Sequence, residues 1–256
     1  LVPQLPPPAS TWDRKQNASF WAVADALKQG KAVGVAANGD WVPEAQAAAP
    51  VKLRTPRVGV YEPYRSDMDG GWTQWLLDYY RVPYRALKNE DVRTGKLRER
   101  YDAIVIASQS VNAILHGYQA GLPTLSGEAA DAMAAKSLQR PEYTGGIGVE
   151  GVVALREFVE QGGTLLTFGQ ATELPIEMFP LPVANAVSRN AFRAPGAVLR
   201  VKVDAANVLA AGMPSDAYAF VDGGIAFESR SLKGAKSPKA AVRTLVSYAE
   251  KDLLAS

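Results

Sequence analysis

The chain has 256 residues, 47% of them hydrophobic and 21% charged, which is typical of a globular protein with one large domain or a domain plus an added segment. Lysine and arginine (28) nearly balance aspartate and glutamate (26), so composition gives no electrostatic case for binding nucleic acid or a membrane surface. The absence of cysteine excludes disulfides, thiolate metal sites and cysteine nucleophiles. No run of 18 apolar residues is present to span a membrane.

The N-terminal part of the sequence predicts a segment separate from the rest of the chain. Residues 1–16 are proline-rich and lack the regions of an intact signal peptide, so they indicate the cut end of a linker in a longer protein. A helix is predicted from Ala18 to Gln29 with Asn17 as its cap. Asn38-Gly39-Asp40 lies between apolar runs and predicts a hairpin. Residues 43–56 indicate a linker, so we divide the chain into residues 1–55 and a domain over 56–256.

From Pro56 onward, predicted strands and helices alternate. The strands cover residues 57–62, 83–87, 101–107 and 164–168, and the clearest helices cover 70–80 and 149–161. A short helix is also expected near 90–98, and the long connection 109–145 is expected to be helical over 126–138. This alternation predicts an α/β fold with a doubly wound, mostly parallel sheet and helices on both faces. After residue 180, alternating patterns at 198–203 and within 217–228 predict antiparallel additions, whereas Val242 to Leu254 is ambiguous between strand and helix.

Two helices carry apolar residues at helical spacing, which predicts their core-facing sides. In the first helix these residues are Trp72, Trp75, Leu76 and Tyr79. In the second they are Val152, Leu155, Phe158 and Val159, with Gly162-Gly163 as the terminator.

Two carboxylates lie in the loop between the first parallel strand and its helix. Asp67 and Asp69 have an ordinary interpretation as a helix cap and as partners of the helix dipole. They also lie where ligands commonly bind in parallel sheets, so they are candidates to bind a cation or a substrate amine.

A glycine pattern and a single histidine have weak functional interpretations. Residues 146–151 match G-x-G-x-x-G, but Pro141 and polar neighbours precede them where a dinucleotide site needs a strand. A flexible loop is the favoured interpretation, and the amides at the helix start remain candidates to hold a carboxylate or another anion. His116 is the only histidine, so a zinc peptidase site is excluded, and a structural or surface role is favoured over a catalytic triad.

Several stretches together resemble a known family. They are Arg57-Val58-Gly59-Val60-Tyr61, Asp69-Gly70-Gly71-Trp72-Thr73, Pro141-Glu142-Tyr143-Thr144-Gly145-Gly146-Ile147-Gly148 and Gly162-Gly163-Thr164-Leu165. In that order the sequence resembles, over residues 15 to 256, the C-terminal region of large bacterial zinc carboxypeptidase-like proteins. That region is similar to class I glutamine amidotransferase domains, so the resemblance implies a flavodoxin-like sheet. The resemblance also implies an attached peptidase domain as partner and a periplasmic or secreted location.

The catalytic centre of an amidotransferase has no counterpart in this sequence. Such an enzyme needs a cysteine on a sharp strand-to-helix turn and a histidine base. The matching turn follows the strand at 164–168 and offers Phe168, Gly169 or Gln170, none of which is a nucleophile. Ser108 and Ser110 follow another strand, with no histidine evident beside them. We therefore assign no catalytic residue, zinc ligand or cofactor.

These observations favour a non-catalytic accessory domain of a metallocarboxypeptidase-like protein, which aids substrate access or domain packing. Two alternatives stay open. One is a hydrolase or amidotransferase-like enzyme with an atypical site, and the other is a peptide- or glycan-binding module. We also expect the chain to stop short of its natural domain end.

The topology predicts where a ligand would bind. The carboxyl ends of three parallel strands should bring their loops to one depression, beside the start of the helix at 149–161. A peptide or a small anion is the expected ligand there. The candidate ligand-binding residues are Asp67, Asp69, Tyr143, Gly145, Gly146, Gly148 and Gln170.

Overall fold

The chain folds into two compact units. The computed structural model describes residues 11–64, 67–117, 144–187, 194–223, 226–230 and 242–255. Pro56–Phe179 forms one contiguous unit, called here the central unit. Leu1–Thr55 and Pro180–Ser256 together form the other, called the split unit. The sequence-based division into residues 1–55 and 56–256 as domains stays a prediction.

The N-terminal half of the split unit is a helix and a small antiparallel sheet. Its elements are α1 (Asn17–Lys28), β1 (Val33–Val35), β2 (Trp41–Pro43) and β3 (Ala49–Leu53), and the strand order is β2-β1-β3. The hairpin predicted at 38–40 joins β1 and β2, with Val35 opposite Trp41. The linker predicted over 43–56 is wrong, because β3 pairs with β1. The predicted cap is also wrong, because Asn17 is already helical and Gln16 holds the cap position.

The central unit is a parallel sheet flanked by helices. Its elements are β4 (Val58–Tyr61), α2 (Met68–Tyr79), β5 (Tyr84–Leu87), α3 (Asn89–Arg93), α4 (Leu97–Arg100), β6 (Ala103–Ile106), α5 (Val111–His116), α6 (Gly148–Glu160), β7 (Thr164–Thr167) and α7 (Glu173–Met178). The four described strands are all parallel, in the order β5-β4-β6-β7. This arrangement confirms the predicted α/β, flavodoxin-like fold.

Strand β4 has packed layers on both of its sides. On one face of the sheet, Val58 and Val60 cluster with Val105 and contact Leu77 of α2. On the other, Gly59 leaves room for Leu87, whose Cδ1 lies 2.6 Å from where a β-carbon of residue 59 would be. A larger residue there would displace the packed side chain, so the glycine is required by close packing.

Helix α2 turns a different side to the sheet than its periodicity predicts. Trp72, Trp75 and Leu76 are about half exposed, at 59%, 52% and 48%, so their predicted core role is wrong. The helix contacts the sheet through Leu77 instead. The aromatic rings pack on one another, because Trp72 meets Trp75 edge to face and Trp75 stacks on Tyr79. Ring-on-ring packing thus accounts for a helical spacing that burial in the core usually produces.

Helix α6 is amphipathic as predicted, and two of the four residues expected to face inward, Leu155 and Phe158, are buried. The buried positions are Gly151, Ala154, Leu155 and Phe158. Val159 was expected to face inward but is 39% exposed. The helix ends at the predicted glycines, where Gly162 takes a left-handed φ of 85° and the Gly163 N–H donates to the Phe158 carbonyl. This is the helix-ending geometry that glycine favours.

The C-terminal half of the split unit contains the antiparallel strands that were predicted after residue 180. They are β8 (Val183–Asn185), β9 (Ala194–Val203), β10 (Asp216–Gly223), β11 (Phe227–Ser229) and β12 (Val246–Tyr248). They form a β10-β9-β12 sheet and a β11-β8 pair. The ambiguous stretch from Val242 to Leu254 thus includes a strand. No helix in the described ranges has the length and apolar character needed to cross a membrane.

Candidate functional site

The loops that follow β6 and β7 meet at the carboxyl end of the central sheet. The Gln170 backbone N–H donates to Ser108 Oγ at 3.2 Å. Gly169, which precedes Gln170 in the turn after β7, adopts a left-handed φ of 51°. A β-carbon at Gly169 would lie 2.3 Å from Ser108 Oγ, so the space beside this turn is filled. Residue 169 therefore cannot carry a side chain unless Ser108 moves.

A buried polar chain joins the end of β4 to the glycine-rich loop before α6. The Tyr61 hydroxyl donates to Asn89 Oδ1 at 2.7 Å, and Asn89 Nδ2 donates to the Gly145 carbonyl at 3.1 Å. Tyr61 is 2% exposed and Asn89 4% exposed. Next to them, Arg93 donates to the Gly146 carbonyl at 2.6 Å. These bonds fix the loop against both ends of α3, and the bond between Tyr61 and Asn89 explains how two polar groups are tolerated in the interior.

Burial controls the chemistry of the Tyr61 phenol. It raises the pKa of Tyr61 well above its ordinary value of 10.0, and the positive charge of Arg93 opposes that rise only in part. The phenol therefore stays protonated at neutral pH and donates a hydrogen bond, because an uncompensated phenolate would be costly inside the protein. Tyr61 is consequently a structural donor and not a base.

The glycines of the G-x-G-x-x-G pattern are explained by close packing of α6. A β-carbon at Gly146 would lie 2.2 Å from the Ile114 carbonyl oxygen, and one at Gly151 would lie 2.4 Å from the Ile147 β-carbon. A β-carbon at Gly117 would lie even closer to the Gly145 carbonyl oxygen, at 1.8 Å, and Gly117 forms isolated bridges with Thr144 and Gly145. Within the described residues no strand leads into Gly146, so the arrangement lacks the entry strand of a dinucleotide site.

Asp67 acts as the cap of α2. Its Oδ1 accepts from the Gly70 N–H at 2.7 Å, while Asp69 lies in the first turn. Both side chains are exposed. In the parts of the chain that the structure describes, the hydrogen bond of Asp67 remains inside its own helix, which is the ordinary capping arrangement.

Several candidate ligand-binding residues contact other parts of the central unit, and their shared site stays a prediction. Gly145 and Gly146 are bonded to α3, and Gln170 is bonded to Ser108. Gly148 begins α6 with a left-handed φ of 60°. Tyr143 lies outside the described residues. One depression that joins all the candidates with Asp67 and Asp69 stays a prediction.

His116 is the last residue of α5 and is exposed. In the described ranges no three histidine, aspartate or glutamate side chains are grouped so that they could hold a metal ion.

Four residues that make these contacts were not predicted from the sequence as ligand-site residues. They are Tyr61, Asn89, Arg93 and Ser108. Tyr61 ends a buried strand and Asn89 begins a helix. A tyrosine hydroxyl at the end of a strand and an asparagine side chain at the start of a helix are the sequence signals that could have identified this pair. Arg93 could not be found this way, because its partner is a backbone carbonyl more than fifty residues later in the chain.

Comparison of the chain with known proteins gives similarity to solved structures at low sequence identity. No family model matches the sequence, and no curated protein matches it significantly. Among solved structures, the chain is similar to a ThuA-like protein from Bacteroides uniformis ATCC 8492, with 12% identity, a TM-score of 0.45 and coverage of 79% of this chain and 72% of that one. It is also similar to a glutamine amidotransferase from Thermotoga maritima, with 12% identity, a TM-score of 0.40 and coverage of 69% of this chain and 64% of the amidotransferase.

Proposed function

We propose that the central unit is a non-catalytic domain with an amidotransferase-like fold, which serves a larger protein by packing or by binding a ligand. The observation that carries this proposal is the turn after β7. An amidotransferase places its nucleophile on such a strand-to-helix turn. Here the left-handed position is Gly169, and Ser108 Oγ fills the space where its side chain would begin.

The other possible catalytic side chains of the central unit support the same proposal. Ser108 Oγ accepts a hydrogen bond from the Gln170 N–H and has no histidine base among its described contacts. His116, the sole histidine, is exposed at the end of α5. Tyr61 is held protonated by burial. A nucleophile needs a base within hydrogen-bond reach, and these groups do not supply that pair.

The identity of the larger protein is the finer part of the proposal. The sequence motifs that resemble the C-terminal region of zinc carboxypeptidase-like proteins support an attached peptidase as partner and a periplasmic or secreted location. The expected contribution to such a protein is substrate access or domain packing, and a peptide or small anion is the expected ligand.

An enzyme with an atypical site is the second candidate, and Asp67 favours it because a carboxylate lies exposed at the carboxyl end of β4. A catalytic assay separates the two. Purified protein is incubated with L-glutamine and separately with p-nitrophenyl acetate, and the release of ammonia and p-nitrophenol is compared with that of heat-denatured protein. We expect no protein-dependent release above the denatured control.

Release that disappears in Asp67→Ala, Asp69→Ala or Ser108→Ala, while circular dichroism shows that the variant is still folded, would overturn the non-catalytic proposal and support the enzyme. Release that persists equally in all three variants would point to a contaminating activity, which a variant lacking residues 164–179 would retain.

A further inference from the structure

A groove on the antiparallel sheet of the split unit is lined by five charged residues, one tyrosine and three aliphatic residues. It encloses about 230 Å³ beside β9, β10 and residues 249–252. Val201 and Ala217, which also line the groove, belong to a hydrophobic cluster of the split unit. Pockets for drug-sized ligands usually enclose about 300–1,000 Å³, so this groove suits a smaller molecule.

Strand pairing places the groups of the groove in two cross-strand pairs. Arg200 lies opposite Tyr218, and its guanidinium carbon is 5.7 Å from the centre of the tyrosine ring. Lys202 lies opposite Asp216 and is ion-paired with it. Tyr218 remains 68% exposed, so the ring keeps a free surface beside the guanidinium. A cation beside an open aromatic face can hold the acid and the apolar part of one ligand together.

A bulge in the chain builds one wall of the groove. The Ala249 N–H donates to the Arg200 carbonyl at 3.0 Å, and the Arg200 N–H donates to the Leu253 carbonyl at 2.8 Å. Because both bonds go to Arg200, residues 250–252 must leave the sheet between them. Asp252 turns the chain back with a left-handed φ of 50°. Bulges of this kind often redirect side chains at binding sites, and here Lys251 and Asp252 line the groove.

The charges of the groove select the class of ligand. Asp216 already neutralises Lys202, so Arg200, Lys251 and Asp252 are the groups left to meet a ligand. Among the described residues, Arg200 has the Tyr218 ring as its side-chain contact and no ion pair. Two cations beside one carboxylate favour a ligand that carries an acid group next to an N–H donor.

We propose that this groove binds an amino acid or its N-acyl derivative. The carboxylate of the ligand pairs with Arg200 and Lys251, its N–H donates to Asp252, and its apolar side chain lies on Tyr218. This inference goes beyond the proposed function, because the groove belongs to the split unit and uses no residue of the central sheet.

The test is calorimetric titration of the whole chain with N-acetyl-L-phenylalanine, with the neutral N-acetyl-L-phenylalanine amide and inorganic phosphate as comparison probes. Loss of a charge-assisted hydrogen bond should weaken carboxylate binding about tenfold or more in Arg200→Gln. Lys251→Gln, in the bulge outside the strands, should weaken it severalfold. Arg156→Gln is the matched control, because Arg156 is an exposed arginine that pairs with Glu160 on α6.

We expect the carboxylate to bind, the amide to bind far more weakly and the control variant to match the wild type. The proposal would be overturned if the amide bound as tightly as the carboxylate, or if Arg200→Gln and Lys251→Gln bound the carboxylate as tightly as the wild type. It would also be overturned if no heat were measured up to the solubility of the probe. Tighter binding of phosphate than of the carboxylate would also overturn it. Thermal melting of each variant checks that the loss of binding is not a loss of folding.

Discussion

The hydrogen-bonded pair Tyr61 and Asn89 shows what one buried polar contact does for the central unit. Asn89→Ala would leave the buried Tyr61 hydroxyl without its partner and would also remove the hydrogen bond to the carbonyl of Gly145, which is exposed. We expect this change to lower the free energy of unfolding by about 1–3 kcal/mol, as measured by urea denaturation. Tyr64→Phe removes a more accessible hydroxyl, bonded to Glu90, and should cost much less. Equal losses in the two variants would contradict the expected role of burial.

The raised pKa of Tyr61 predicts a specific dependence of stability on pH. Below the ordinary tyrosine pKa of 10.0, both the folded and the unfolded chain keep the phenolic proton. Above it, the unfolded chain releases the proton while the folded chain still holds it, so the free energy of unfolding falls as the pH rises. Tyr61→Phe should flatten this alkaline decline in urea denaturation series above the ordinary tyrosine pKa. Parallel declines in the two proteins would show that another group is responsible.

The left-handed turn at Gly169 can be separated from ordinary left-handed glycines. Gly162 also has a positive φ, but no atom lies within 4 Å of the position its β-carbon would take. Gly162→Ala therefore measures backbone strain alone, about 1 kcal/mol. Gly169→Ala adds the clash with Ser108 and should cost more, by about 1–3 kcal/mol in thermal or urea unfolding. The extra loss of unfolding free energy should be smaller in the double variant Gly169→Ala with Ser108→Gly. If the extra loss is unchanged in the double variant, Ser108 is not the residue that clashes.

Helix α2 shows which features of an element the sequence predicts. Its position was predicted within two residues, because a buried strand, a polar loop and a capping carboxylate are all local signals. Its inward face was not, because Trp72, Trp75 and Tyr79 satisfy helical spacing by packing on one another. Periodicity identifies residues that share a face, whereas the choice between core and ring-on-ring packing is made by tertiary contacts.

The cap of helix α2 should make a measurable contribution to the free energy of unfolding. Asp67→Ala removes the acceptor of the Gly70 N–H and should lower the free energy of unfolding by about 1 kcal/mol. Asp69→Ala removes only a first-turn charge, so its cost should be smaller, about 0.3–1 kcal/mol, and should fade in high salt. If Asp69 belongs to a ligand site, its variant loses binding of an added peptide or anion with little change in melting temperature. A larger loss of stability in Asp69→Ala than in Asp67→Ala would contradict the capping assignment.

At the scale of the whole molecule, the parallel sheet was predictable and the candidate site only partly so. The two central strands, Val58–Tyr61 and Ala103–Ile106, are short apolar runs, and right-handed crossovers constrain the strand order. The contacts of the candidate site join residues far apart in sequence, for example Ser108 with Gln170 and Arg93 with Gly146. Such pairings depend on loop geometry, which leaves no periodic trace in the chain. The antiparallel β3 was missed because Ala49-Pro50 suggested a linker.

The division of the chain predicts that the central unit folds independently. Pro56–Phe179 is contiguous and contains all four described parallel strands with their helices. Its hydrophobic cluster around Val60 and Val105 is made by its own residues, so excision removes none of those contacts. We expect a fragment of residues 56–179 to show cooperative urea unfolding by circular dichroism and slow amide exchange over 103–106. A fragment of residues 1–55 is the control. It should not fold alone, because its compact unit needs residues 180–256. A disordered 56–179 fragment, with rapid exchange throughout, would mean that the two units stabilise each other and unfold as one.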